Sequence, residues 1–263
     1  MAYYDWQASV QAKKTLVCVH GLTRNGRDFD MFAQEAVKDY RLLCPDIAGR
    51  GKSGWLKDKG WYHYGTYVAD MIYFFEKMQL KDVSWVGTSM GGLIGMVLAA
   101  MYPEHIKKLV MNDIGPFIPE AAIKRLGEYV GKDVAFDRQD DAQKYIQSIM
   151  APWGITDRVH WRHIAEHSFR QSAGKFVLNY DPEIKQAFFS VQGDLDMWDL
   201  WAQVKCPVLV LRGSMSDLLT GATAERMKAS RPNVEVIEFP NIGHAPSLMS
   251  KEQIQKVKAW LDA

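Results

Sequence analysis

Two kinds of apolar pattern alternate along most of the chain. Short β-rich runs occupy residues 15–19 (TLVCV), 40–44, 83–86, 106–111, 207–211 (PVLVL) and 234–239. Helical spacing fills the gaps: near 28–38, over 66–78 with Tyr67, Met71, Phe74, Phe75 and Met78 on one face, after residue 89, near 221–230, and over 251–261. Strand-helix alternation of this kind predicts a mostly parallel sheet covered on both faces, because only helical crossovers return a chain to start a parallel neighbour. Between about 116 and 203 the alternation stops, and only helical patterns are read there. The expected layout is therefore one α/β core made of residues 1–115 and 204–263, interrupted by a helical cap at 116–203. Residues 3–7 are a possible leading strand.

The chain is organised around residues 83–102, VSWVGTSMGGLIGMVLAAMY. A strand-like run ends in Gly87-Thr88-Ser89-Met90-Gly91, and an uncharged helix pattern follows. A side chain at the apex of so sharp a turn sits in a strained backbone conformation, so its neighbours must be Gly or small. Ser89 is then lifted above the sheet, beside the free N–H groups of a helix N-terminus. That is the setting of a nucleophilic serine. Two blander readings fail. A membrane span needs roughly 20 apolar helical residues, and the helical part here is shorter. A phosphate loop needs the G-x-G-x-x-G spacing or a lysine, and GTSMGG has neither.

Composition narrows the function classes. Of 263 residues, 48% are hydrophobic, and the formal net charge is +1, so neither a nucleic-acid partner nor an acidic membrane surface is indicated. The three cysteines, Cys18, Cys44 and Cys206, lie in or beside apolar runs without metal or disulfide spacing. They read as small buried hydrophobes in a reducing compartment. The first ten residues lack the basic-then-apolar layout of a signal peptide, and a cytoplasmic location is the expectation.

A serine hydroxyl needs a base, and the base an orienting acid. Chemistry in α/β sheets gathers outside the carboxyl ends of strands. His244 follows the last strand and is the expected base. Asp217 follows the strand before it and is the expected acid; its rival is Asp113, after the run at 106–111, expected rather to order the loop into the insertion. The oxyanion hole is expected from the backbone N–H groups of Leu22 and Met90. His20 is expected to be structural, bonding the loop below that hole. Gly49–Ser53 (GRGKS) imitates the end of a Walker A loop, but Asp46 stands where the first Gly is required. In the insertion His160, His163 and His167 share a helical face, a spacing that permits metal binding; without further ligands they read as a polar or packed stripe. Phe117, Ile118, Trp153, Trp161 and Phe189 are candidates to line an apolar pocket over Ser89. No metal and no organic cofactor are expected.

Taken together, His20-Gly21-Leu22, the D-x-x-G-x-G-x-S loop from Asp46 to Ser53, Gly87–Gly92, Ser216-Asp217 and Gly243-His244 resemble the α/β-hydrolase superfamily with a helical cap, over nearly the whole chain. The leading hairpin looks shortened. The resemblance implies a Ser-His-Asp triad and a serine carboxylesterase acting on small to medium, largely uncharged esters. Dehalogenases and epoxide hydrolases of the superfamily carry Asp where Ser89 stands. Meta-cleavage-product C–C hydrolases typically have Asn before the serine and Trp after the histidine, where this chain has Thr88 and Ala245. Enol-lactone hydrolases and cofactor-free haloperoxidases share the triad, and some members of the fold are non-catalytic ligand-binding proteins.

Overall fold

The computed structural model describes residues 1–7, 14–186 and 193–263. Seven strands form one sheet: β1 (Tyr3–Trp6), β2 (Lys14–Val19), β3 (Tyr40–Pro45), β4 (Val83–Thr88), β5 (Ile106–Asn112), β11 (Val208–Gly213) and β12 (Val234–Phe239), in the spatial order β1-β3-β2-β4-β5-β11-β12. All neighbours are parallel except β1, which runs antiparallel to β3 and supplies the leading edge read at residues 3–7. The strands differ from the sequence reading by a residue or two at their ends.

The sheet's two faces are covered separately. One apolar cluster includes Val17, Trp85 and Met111 with Met71, Phe75, Leu93 and Met227; the other includes Leu16, Val86 and Leu211 with Phe32, Val257 and Leu261. Strand alternation dictates this split, since residues two apart share a face. The helices concerned are α1 (Asp30–Ala36), α2 (Tyr64–Met78), α3 (Met90–Met101), α7 (Gly221–Ser230) and α8 (Lys251–Asp262). α3 is buried almost all round, which explains its lack of charge. Cys18 and Cys44 lie on adjacent strands, fully buried, with their thiols in contact, and that contact and then burial hold the Cys44 thiol well above its ordinary pKa.

The segment between β5 and β11 is not purely helical as expected. Helices α4 (Glu120–Gly127), α5 (Gln139–Met150) and α6 (Arg158–Ser168) alternate with β6 (Phe117–Ile118), β7 (Ala135–Phe136), β8 (Phe169–Ser172), β9 (Lys175–Leu178) and β10 (Leu195–Asp196). β7, β9 and β8 make a small antiparallel sheet, and β6 pairs with β10. None of these strands exceeds four residues, too short for a period-two pattern to stand out. α5, α6 and β8 enclose a small core of their own around Ile146, Met150, Ile164 and Phe169. No helix among the described residues is long and apolar enough to cross a membrane.

Candidate active site

The strand-turn-helix joint between β4 and α3 has the predicted form. Ser89 is held at φ 51°, ψ −114°, a conformation L-residues rarely adopt. The strain is locked by close packing. A Cβ on Gly87 would lie 2.2 Å from the Gly91 carbonyl oxygen, and one on Gly91 would lie 2.1 Å from the Val19 carbonyl oxygen. The Trp85 indole donates to the Gly91 carbonyl at 2.9 Å, and the Ser89 N–H donates to Asn112 at 2.9 Å. With its own hydroxyl making no capping bond to α3, Ser89 Oγ turns to His244, whose Nε2 is 2.9 Å away.

The other ring nitrogen decides the acid. His244 Nδ1 lies 2.8 Å from Asp113 Oδ2, not on Asp217. Asp113 is completely buried, at φ 55°, and its carboxylate accepts two further hydrogen bonds: the Gly213 N–H at 2.7 Å and the Ser216 hydroxyl at 2.5 Å. A buried carboxylate requires donors of this kind. Asp217 is turned outward, and its oxygens receive Arg125 Nε at 2.5 Å and Nη2 at 2.8 Å. Burial alone would raise the Asp217 pKa; Arg125 outweighs it, and the pKa is lowered. The sequence reading of Asp217 as the acid is therefore corrected. The chain at Ser216-Asp217 does serve the site, but through the serine. Asn112 was missed as well: its amide donates to Thr88 Oγ1 at 3.0 Å and to the Pro246 carbonyl at 2.8 Å, tying the serine turn to the histidine loop.

Leu22 and Met90 line one cavity together with Ser89. Both are gripped by Arg50, from the glycine-rich loop after β3. Its Nε donates to the Leu22 carbonyl at 2.8 Å, its Nη1 donates to the Ala48 carbonyl at 2.7 Å and to the Tyr67 hydroxyl at 2.9 Å, and Nη2 approaches Met90 Sδ at 3.6 Å. Asp46 fastens the same loop by accepting from the Gly26 and Lys52 amides. A Cβ on Gly51 would fall 2.3 Å from the Asp46 carboxylate. The stretch that imitated a phosphate loop is thus a structural clasp. His20 is structural as expected. Fully buried, it is pushed down to a pKa of about 3, chiefly by desolvation, while Nδ1–H donates to the Gly21 carbonyl at 2.7 Å and Nε2 accepts from the Ile47 amide at 3.0 Å.

Each member of the pair Ser89–His244 borders a chamber of its own. The one bordered by Ser89 measures about 520 Å³ and is largely apolar, with Leu93, Val97, Ile114, Ile118, Ile123 and Leu126 among its walls. The one bordered by His244 measures about 320 Å³ and mixes Trp153 and Met150 with Arg24, Arg125, Tyr129 and Asp217. Of the candidate pocket residues, Ile118 lines the first and Trp153 the second; neither Phe117 nor Trp161 lines either, Trp161 being bonded to the Ile155 carbonyl. Phe189 lies outside the described residues.

The histidine stripe is split. His160 lines a separate surface cleft. His163 and His167 stack edge to face, 4.5 Å between ring centroids, beside Asp30. Three ligand atoms there lie within 4.8 Å of one another. However, the Arg27 guanidinium is already paired with Asp30 at 2.5 Å, and His163 Nε2 sits 2.8 Å from the Arg27 carbonyl. A fixed cation on the one acidic ligand opposes a metal there.

A strained serine, a histidine bonded to both it and a buried carboxylate, and a sheet of this order define a hydrolase of the α/β type. The chain belongs to the alpha/beta hydrolase fold family, whose model matches residues 14–249. It is 38% identical to a protein named 3-hydroxybutyrate-oligomer hydrolase from Cupriavidus necator, the match covering 97% of this chain and 90% of that one. Two solved structures are also similar. A protein of Rickettsia typhi superimposes with a TM-score of 0.93 at 38% identity, over 99% of this chain and 90% of its own. An alpha/beta hydrolase from Novosphingobium aromaticivorans superimposes with a TM-score of 0.88 at 34% identity, over 99% and 93%.

Proposed function

We propose that the chain is a serine carboxylesterase working through an acyl-enzyme, with Ser89 as nucleophile, His244 as base and Asp113 as its orienting acid. The observation that carries the reading is the continuous relay Ser89 Oγ–His244 Nε2 at 2.9 Å and His244 Nδ1–Asp113 Oδ2 at 2.8 Å. Ser89 attacks the ester carbonyl while His244 takes its proton. Leu22 and Met90 amides receive the oxyanion, an interaction worth roughly two to three powers of ten in rate per donor. His244 then hands the proton to the leaving alkoxide, and water, deprotonated by the same histidine, clears the acyl-enzyme. Residues 116–203 act as a cap whose walls complete both chambers. The substrates are small to medium esters. The name of the Cupriavidus necator relative extends them to short esters of hydroxy acids.

The test is burst kinetics on p-nitrophenyl esters from acetate to decanoate. A burst in the wild type that vanishes in Ser89→Ala is the expected result, with the chain-length optimum reporting the apolar chamber. No hydrolysis at any length refutes the esterase reading and redirects attention to C–C bond substrates.

A further inference from the structure

The two chambers receive different halves of an ester, and their chemistry differs. The acyl carbon must reach Ser89 Oγ and the Leu22 and Met90 amides, all of which border the apolar chamber. The leaving oxygen must face His244, because that ring returns the proton to it. His244 borders the polar chamber. Beside Trp153, Met150 and Ile149 that chamber holds two guanidinium groups and the Tyr129 ring, so it offers a charged end of a leaving group a partner that the apolar chamber does not.

The two arginines are not equivalent. Arg24 is buried, clamped by Asp28 through Nε and Nη2 and bonded to Ser168 through Nη1. Arg125 is half-exposed, at 42% of its side chain, and among the described residues its ionic partner is Asp217, itself 47% exposed. An ion pair this open to water is screened, and its partner can be exchanged for another carboxylate. A second carboxylate entering the chamber competes with Asp217 for Arg125, and the planar fork of the guanidinium suits such a group.

We infer that, given the esterase reading above, the polar chamber takes the carboxylate of a hydroxy-acid leaving group, with Arg125 as its receptor, so that hydroxy-acid esters are cut at the bond nearest their free carboxylate end. In the reaction the acyl C–O bond breaks, the Ser89 proton passes through His244 to the departing oxygen, and one hydroxy acid leaves with its carboxylate on Arg125. Water then adds to the acyl carbon, its proton returning through His244 to Ser89. Asp217 is the resident placeholder for that carboxylate when the chamber is empty.

The experiment compares three substrates: 3-(butanoyloxy)butanoate, its methyl ester, and p-nitrophenyl butanoate. In the wild type the free acid is expected to exceed the methyl ester in kcat/KM by about tenfold, the change a single charge-assisted contact gives. Arg125→Gln collapses that ratio toward one, mainly through KM for the acid, and Asp217→Asn raises it by freeing Arg125. Folding of either variant is checked by its thermal unfolding curve against the wild type. If p-nitrophenyl butanoate is hydrolysed but the wild-type ratio is one or less, the inference is overturned and the esterase reading stands. A ratio that survives in Arg125→Gln also overturns it. Hydrolysis of none of the three overturns both.

Discussion

Asp113 and Asp217 each follow a strand of the same sheet, one after β5 and one after β11, and each lies near His244. Their surroundings differ in every respect that matters to a charge. Asp113 is sealed from solvent and surrounded by three donors, one of them the His244 imidazole. Asp217 is half in water and shares a single salt bridge with a helix of the inserted segment. A carboxylate that orients a base must not wander, and burial with full hydrogen bonding is what fixes it. One that only holds an arginine at the wall of a chamber is free to let go, and exposure allows that.

The sharpest way to break this contrast is to neutralise each acid in turn. Asp113→Asn leaves the imidazole in the wrong tautomer and is expected to lower kcat for p-nitrophenyl butanoate by about 10⁴. Asp217→Asn is expected to cost less than tenfold on the same ester. Equal losses would mean that the two acids share the role.

A second buried group extends the protected side of the comparison. His20 is neutral in the fold, with its pKa pushed down to about 3 from 6.5. Below pH 6.5 the unfolded chain takes up a proton that the folded one refuses, so stability falls as pH drops from 6.5 toward 3. Between pH 7.5 and 5 the loss from this group is about 2 kcal/mol. Urea denaturation at the two pH values checks it, and in His20→Asn that share of the acid sensitivity disappears. The smallest effect belongs to the exposed side. Breaking the Arg125–Asp217 pair by Asp217→Asn is expected to change unfolding free energy by under about 1 kcal/mol, against a denaturation curve of the wild type.

The same contrast explains what the sequence disclosed. Strands, covering helices, Ser89 and His244 were legible because each depends on a local pattern: a buried run, a glycine-framed turn, a position after the last strand. The choice between two acids was not local. It turned on which loop folds inward, and Asp113 does so through a left-handed backbone that Asp tolerates, directly after a strand whose end reads Met-Asn-Asp. Ser216 drew no attention because a hydroxyl that braces another residue's carboxylate has no sequence signature. The inserted segment was least legible. Its strands are two to four residues long, and each finds its partner through packing rather than pattern.

The touching thiols of Cys18 and Cys44, on the sheet face that α1 and α8 cover, give the molecule a built-in clock. An aromatic disulfide reagent cannot reach either sulfur until that cover lifts, so its slow labelling phase times the exposure of this face. Cys206, only partly covered beyond the opposite half of the sheet, reacts on its own schedule. The gap between the two rates reads how much more slowly the cover of this face opens than the surface around Cys206.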